Sequence, residues 1–239
     1  MRSFSKLSGY LIEEITLVKN NIALASTFVL IILAGCDGPD TGNALKKVNG
    51  SVHVAAGTAP QAAGTVNGDI HIDDNAAVTE ANTVNGGIQL GNNATASTLS
   101  TVNGGITVGS NSHVANGAAS VNGSVTLHDG ADILGSVSNV NGKIELTSAH
   151  VGGGIKTVAG DIAIRGPSHV EGGILIEKNS QLIHFGSGVP RVEIGPGATV
   201  QGELRFEREV KLYVSDKATI GPVTGATPIS FSGDTAPAG

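Results

Sequence analysis

The stretch TVNGDIHI at residues 65–72 returns as TVNGGIQL at 83–90 and as TVNGGITV at 101–108, and this recurrence decides the fold. Its Val-Asn-Gly centre begins at Val48, Val66, Val84, Val102, Val121 and Val140, with Val158-Ala159-Gly160 as a seventh copy, at spacings of 18 or 19 residues. Four positions after each valine stands Val52, Ile70, Ile88, Ile106, Val125, Ile144 or Ile162. Two further on comes Val54, Ile72, Leu90, Val108, Leu127, Leu146 or Ile164, and the residue between them is mostly polar. Apolar, polar, apolar is the period of a strand with one buried face.

A finer step of six runs inside the repeat. From Val66 it meets Ile72, Val78, Val84, Leu90, Ala96, Val102, Val108 and Val114, which places all of these in the expected core. From Val158 it meets Ile164, Val170, Ile176, Leu182, Gly188, Ile194, Val200, Phe206 and Leu212, so the repeat is expected to continue past the last tripeptide. Three six-residue faces per turn describe an all-β fold, a single-stranded parallel β-helix of triangular section with about 18 residues per turn. Each strand then pairs with its equivalent one turn on, and identical side chains stack at about 4.8 Å. Asn49, Asn67, Asn85, Asn103, Asn122 and Asn141 are accordingly expected to form a structural ladder at a corner, where Asn and Gly tolerate a left-handed backbone. A β-meander is the competing architecture, because Asn-Gly is also a favoured hairpin turn. It would need a second turn signal in each repeat, and the midpoints DNAAVTE, NNATAST, SNSHVAN and DGADILG share no dipeptide of that kind.

Composition agrees with a slender core. Of 239 residues only 3% are aromatic, none is Trp, and 35 are Gly, so Val, Ile, Leu and Ala must fill the interior. A net charge of −6 argues against a nucleic-acid partner. The single cysteine, Cys36, excludes an intramolecular disulfide. It ends an apolar run at residues 22–35, too short for a comfortable membrane span and suited to the apolar region of a secretory signal, with Lys19 as its positive flank.

Leu33-Ala34-Gly35-Cys36 resembles the lipobox of bacterial lipoproteins. The resemblance implies that Cys36 takes a lipid and becomes the mature N-terminus. The expected organisation is a lipoprotein signal peptide over residues 1–35, a flexible tether over 36–47, the solenoid over 48–221 and a disordered tail over 222–239. The stretch ELRFEREVK at 203–211 is expected to be a charged terminal element that blunts one sheet edge. The implied location is the bacterial cell envelope, with the lipid as the membrane partner. Asp37, next to Cys36, is the residue that retains such proteins in the inner membrane of enteric-type bacteria; inner and outer membrane both stay open.

The repeat resembles bactofilins, which are polymer-forming triangular β-helices, and the adhesin-like β-solenoid domains of envelope proteins, whose repeats read like TVNGDI (65–70) or SVNGSV (120–125). Both imply a structural, adhesive or self-assembling role, with self-association as the further partner expectation. The stretch IGPGATV at 194–200 resembles the hexapeptide-repeat acyltransferases, which makes a solenoid using a histidine column the alternative, as an enzyme or as a ligand-, metal- or carbohydrate-binding protein. In that register His53 and His71 share one column and His113 and His169 another, with His150 one residue out of step. Asp73-Asp74 and Asp129/Asp132 read as solvated corners. The expectation is no catalytic residue, no metal, no cofactor and no small-molecule substrate.

Overall fold

The computed structural model describes residues 44–178 and 188–237, which form an all-β solenoid of about nine turns with only parallel pairing. Residues 1–43 lie outside the described residues, and with them the expected signal peptide, Cys36 and most of the expected tether. The meander is excluded, since every strand pair is parallel.

Three faces wind around one core. The first is a ten-stranded sheet that runs from Val52–Val54 through Ile70–Ile72, Ile88–Leu90 and Ile106–Val108 to Lys211–Ser215 and finally Ile229–Phe231. The second and third faces are joined in the early turns, where single long strands such as Thr95–Asn103 and His113–Asn122 serve both. Later they separate. His113–Asn122 is the branch point: its first part pairs with Asp132–Ile133 and its second with Ser136–Asn141. The split coincides with a bend containing Gly135, Gly152–Gly154, Gly172–Gly173 or Gly202.

The core is the predicted aliphatic spine, with Ile70, Ile72, Ile88, Leu90, Ile106 and Leu127 all fully buried. One column of the step of six is not part of it. Val66, Val84 and Val102 are only half-buried, and Val48 is 50% exposed, because the inward position on the third face is the residue before each valine. Thr65, Thr83, Thr101 and Ser120 occupy it. A buried hydroxyl is tolerated there because each donates to a glycine carbonyl of the preceding turn: Thr65 to Gly50 at 3.0 Å, Thr83 to Gly68 at 2.9 Å, Thr101 to Gly86 at 2.8 Å and Ser120 to Gly104 at 2.9 Å.

The tripeptide therefore divides its labour. Valine covers the outside of a strand, asparagine stacks, and glycine lets successive turns approach. A Cβ on Gly68, Gly86, Gly104 or Gly123 would fall against the carbonyl of Gly50, Gly68, Gly86 or Gly104, closer than side chains ever sit.

The asparagine ladder runs through five residues. The side-chain amide of Asn67 donates to Asn49 at 2.9 Å, Asn85 to Asn67 and Asn103 to Asn85 at the same distance, and Asn122 to Asn103 at 3.1 Å. Asn141 is in register with Asn122, and its backbone carbonyl accepts from Gly123 at 2.9 Å. None of the six is left-handed. That conformation belongs to a different corner, at Asn75, Asn93 and Asn111 (φ 62°, 53° and 56°), continued by Gly130 (73°), Ser148 (47°) and Gly166 (60°).

Three further expectations need correction. Strand pairing is already in place at Ala44, the first described residue and inside the expected tether, where Ala44–Asn49 pairs with Gln61–Asn67. The expected tail at 222–239 contains two strands, Val223–Thr224 and Ile229–Phe231; Arg191 donates to the Pro237 carbonyl at 2.9 Å and holds it against the sheet. The 203–211 stretch is an ordinary turn, with Leu204 and Phe206 buried and another turn following it. The step of six also crosses an enlarged turn: Ile162 pairs with Val192, 30 residues on, and Ile164 with Ile194. Leu182 falls outside the described residues, and Gly188 is exposed.

Candidate functional site: two imidazole–carboxylate columns

Outward positions on two faces bring histidines and carboxylates together. On the first face His53 and His71 are register partners on adjacent strands. Both point out because Val52, Val54, Ile70 and Ile72 take the inward positions. Their rings stack at 5.6 Å between centroids. Asp73 follows at the corner, its backbone N–H donating to Val54 at 3.0 Å and its carbonyl accepting from Ala76 at 3.1 Å. That pinned backbone directs Oδ1 to 2.7 Å from His53 Nε2 and 3.3 Å from His71 Nε2. On its other side His71 Nδ1 lies 3.2 Å from Gln89 Oε1, one turn on.

The second column is on the second face and holds four residues in consecutive turns, His113, Asp132, His150 and His169, all in register. His150 is thus not out of step. Successive spacings of 19, 18 and 19 residues carry it into line, because the corner between Leu146 and His150 is one residue shorter than those between Leu127 and Asp132 and between Ile164 and His169. Asp132 is likewise no free corner: it bridges His113 Nδ1 at 2.9 Å and His150 Nδ1 at 2.6 Å. Glu171 reaches His150 Nε2 at 3.3 Å, and the His150 and His169 rings stack at 5.8 Å. Gln201 donates to His169 Nε2 at 3.1 Å.

This bridging moves two ionisations. The hydrogen bond to Asp132 raises His150 above its ordinary value of 6.5, with burial opposing and Glu171 assisting. For Asp132 burial pushes upward, but the hydrogen bonds and charges of His150 and His113 together outweigh it and hold the carboxyl below its ordinary 3.8. A raised histidine stabilises the fold fully below 6.5, and that contribution is lost as pH climbs through the folded value. A lowered carboxylate stabilises fully above 3.8 and loses its contribution as pH falls through the folded value. The pair therefore contributes most between these limits. His150→Gln is expected to lower stability by about 0.5 kcal/mol near pH 5.5, the scale of a solvent-screened pair, and by less near pH 8.5. Paired urea melts at the two pH values check this; an equal cost at both would exclude it.

Other sequence candidates serve the fold. The 194–200 stretch forms a left-handed corner at Gly197 (φ 77°) and the start of Thr199–Val200. Asp74 Oδ1 accepts from the Asn92 backbone at 2.6 Å, which ties one turn to the next. His128 sits at a separate corner and His184 lies outside the described residues. The columns were partly hidden in the sequence, because Asp132 replaces a histidine and only pairing across unequal turns aligns it. No family model, no curated protein and no solved structure matches this chain.

Proposed function

We propose that the protein is a lipid-anchored β-solenoid of the bacterial cell envelope, serving as a rigid structural or adhesive spacer. The observation that carries this reading is the order of the chain. The apolar run ends at Cys36 in LAGC, and stacked strands are in place from Ala44, no more than eight residues later. Eight residues reach at most about 28 Å. A lipid on Cys36 would therefore hold the first turn close to the bilayer, with the stack of ten strands extending from it over roughly 43 Å.

The ends support a spacer more than a filament. The first strand carries exposed Lys46 and Lys47, and Pro222 and Pro228 flank the last strands. Lysine and proline at a sheet edge discourage pairing with another chain.

Radioactive palmitate labelling followed by membrane fractionation tests the anchor. The natural chain is expected to be labelled and pelleted with membranes, and Cys36→Ala to be unlabelled and soluble. Label retained in Cys36→Ala, or the natural chain in the soluble fraction, would remove the anchor. Electron microscopy of the detergent-solubilised chain separates the two structural roles: single particles support the spacer, and filaments replace it with a polymer-forming role.

A further inference from the structure

The geometry points to a surface site for one first-row divalent transition-metal ion, of the zinc, nickel or copper kind, held by His53, His71 and Asp73. This goes beyond the spacer role and does not depend on the lipid.

One donor atom from each residue lies within 4.8 Å of the others. Metal–nitrogen bonds of about 2.0–2.1 Å at tetrahedral angles put donors roughly 3.3 Å apart. The Asp73–His71 separation is already 3.3 Å, and the Asp73–His53 separation of 2.7 Å needs only a small side-chain rotation to match. Both histidines present Nε2, the nitrogen far from the backbone, to the same Asp73 oxygen. Their strands are fixed by the ladder and by the buried neighbours on either side.

The hydrogen-bond geometry favours a cation at this point. With Gln89 Oε1 placed 3.2 Å from His71 Nδ1, the oxygen accepts and Nδ1 is the donor. In the neutral ring Nε2 then bears a lone pair that faces the Asp73 carboxylate oxygen, acceptor against acceptor. A metal ion placed between the two atoms relieves that contact. No competing side-chain cation is close in sequence, since residues 48–142 contain no Lys or Arg. Gln89 also does what outer-shell partners of metal-bound histidine do, fixing the tautomer and the ring plane. Two imidazoles and one carboxylate suit a borderline ion and not magnesium or calcium, which prefer oxygen alone. His53 is 61% exposed at its side chain, leaving the remaining coordination positions open to water or to a donor from another molecule.

The second column is the built-in comparison. Asp132 gives one oxygen to His113 and the other to His150, each through Nδ1, so its donors diverge and do not enclose a common point.

The test is calorimetric titration of the full chain carrying Cys36→Ser, which removes the competing thiol from every arm. Zinc chloride and nickel chloride are the probes and magnesium chloride the comparison. One zinc or nickel ion per chain and no magnesium binding are expected. His53→Ala, His71→Ala and Asp73→Asn should each weaken zinc at least tenfold, and Gln89→Ala about tenfold. The double variant His113→Ala/His150→Ala should bind as the parent does. All the substituted side chains point outward, and circular dichroism melts confirm that the variants remain folded. Absence of zinc and nickel binding, equal affinity in the His53→Ala/His71→Ala chain, or a loss confined to the His113→Ala/His150→Ala chain would each overturn the site.

Discussion

Gly104→Val is expected to unfold the middle of the solenoid, with a loss of roughly 3 kcal/mol or more. The new Cβ would overlap the carbonyl of Gly86 and crowd the backbone of Gly87. Those are main-chain atoms locked in parallel pairing on both sides, so no side chain can swing away to make room. Overpacking a side-chain core costs about 1–3 kcal/mol, and a clash with backbone belongs at or above the top of that range. Because each turn touches only its neighbours, the cost also removes the coupling between the turns on either side. The urea midpoint should fall and the transition should broaden or divide. Gly188→Ala is the control: a Cβ there meets nothing within 4 Å, and its effect should stay within about 0.5 kcal/mol. A Gly104→Val chain with the midpoint of the control would mean that successive turns do not lie this close.

Ile88→Ala and Val84→Ala should differ by several kcal/mol, although hydropathy alone ranks the two residues alike. Ile88 is 2% exposed between Ile70 and Ile106, and its truncation leaves a cavity in a narrow core that two flanking sheets keep from collapsing. Such changes cost about 2–5 kcal/mol. Val84 is half-buried on the outer surface, where Ala gives up only some strand preference, about 0.5–1 kcal/mol. Equal losses from chemical denaturation would return Val84 to the core and reverse the face of that strand.

This second comparison also marks how far the sequence could be read. The parallel stack was legible because identical tripeptides and the Val52/Val54 type of alternation leave few other folds. The inward side of the third face was not, because Thr83 looks polar until its hydroxyl is seen to donate to Gly68. Hydropathy therefore chose Val84, one residue away, and one residue is a change of face. The left-handed corner escaped because its occupants differ, Asn75 and Asn93 giving way to Gly130 and Ser148, while the backbone angle persists. The enlarged turn between Ile164 and Ile194 was invisible for an arithmetical reason: 30 residues is still a multiple of six. At the candidate sites, the pairing of His53 with His71 followed from a shared 18-residue step. The approach of Asp73, and the place of Asp132 between His113 and His150, depend on side-chain reach across turns.

The direction of the interstrand hydrogen bonds has a mechanical consequence. In parallel stacking every backbone N–H···O=C bond lies nearly along the long axis, so a pull applied between the two ends loads them in tension, not in shear. Only the few bonds of one turn bear the force at a time, and the rod should peel from an end in increments of one coil. Stretched between its two ends in a force spectrometer, the solenoid is expected to lengthen in steps of about one coil each.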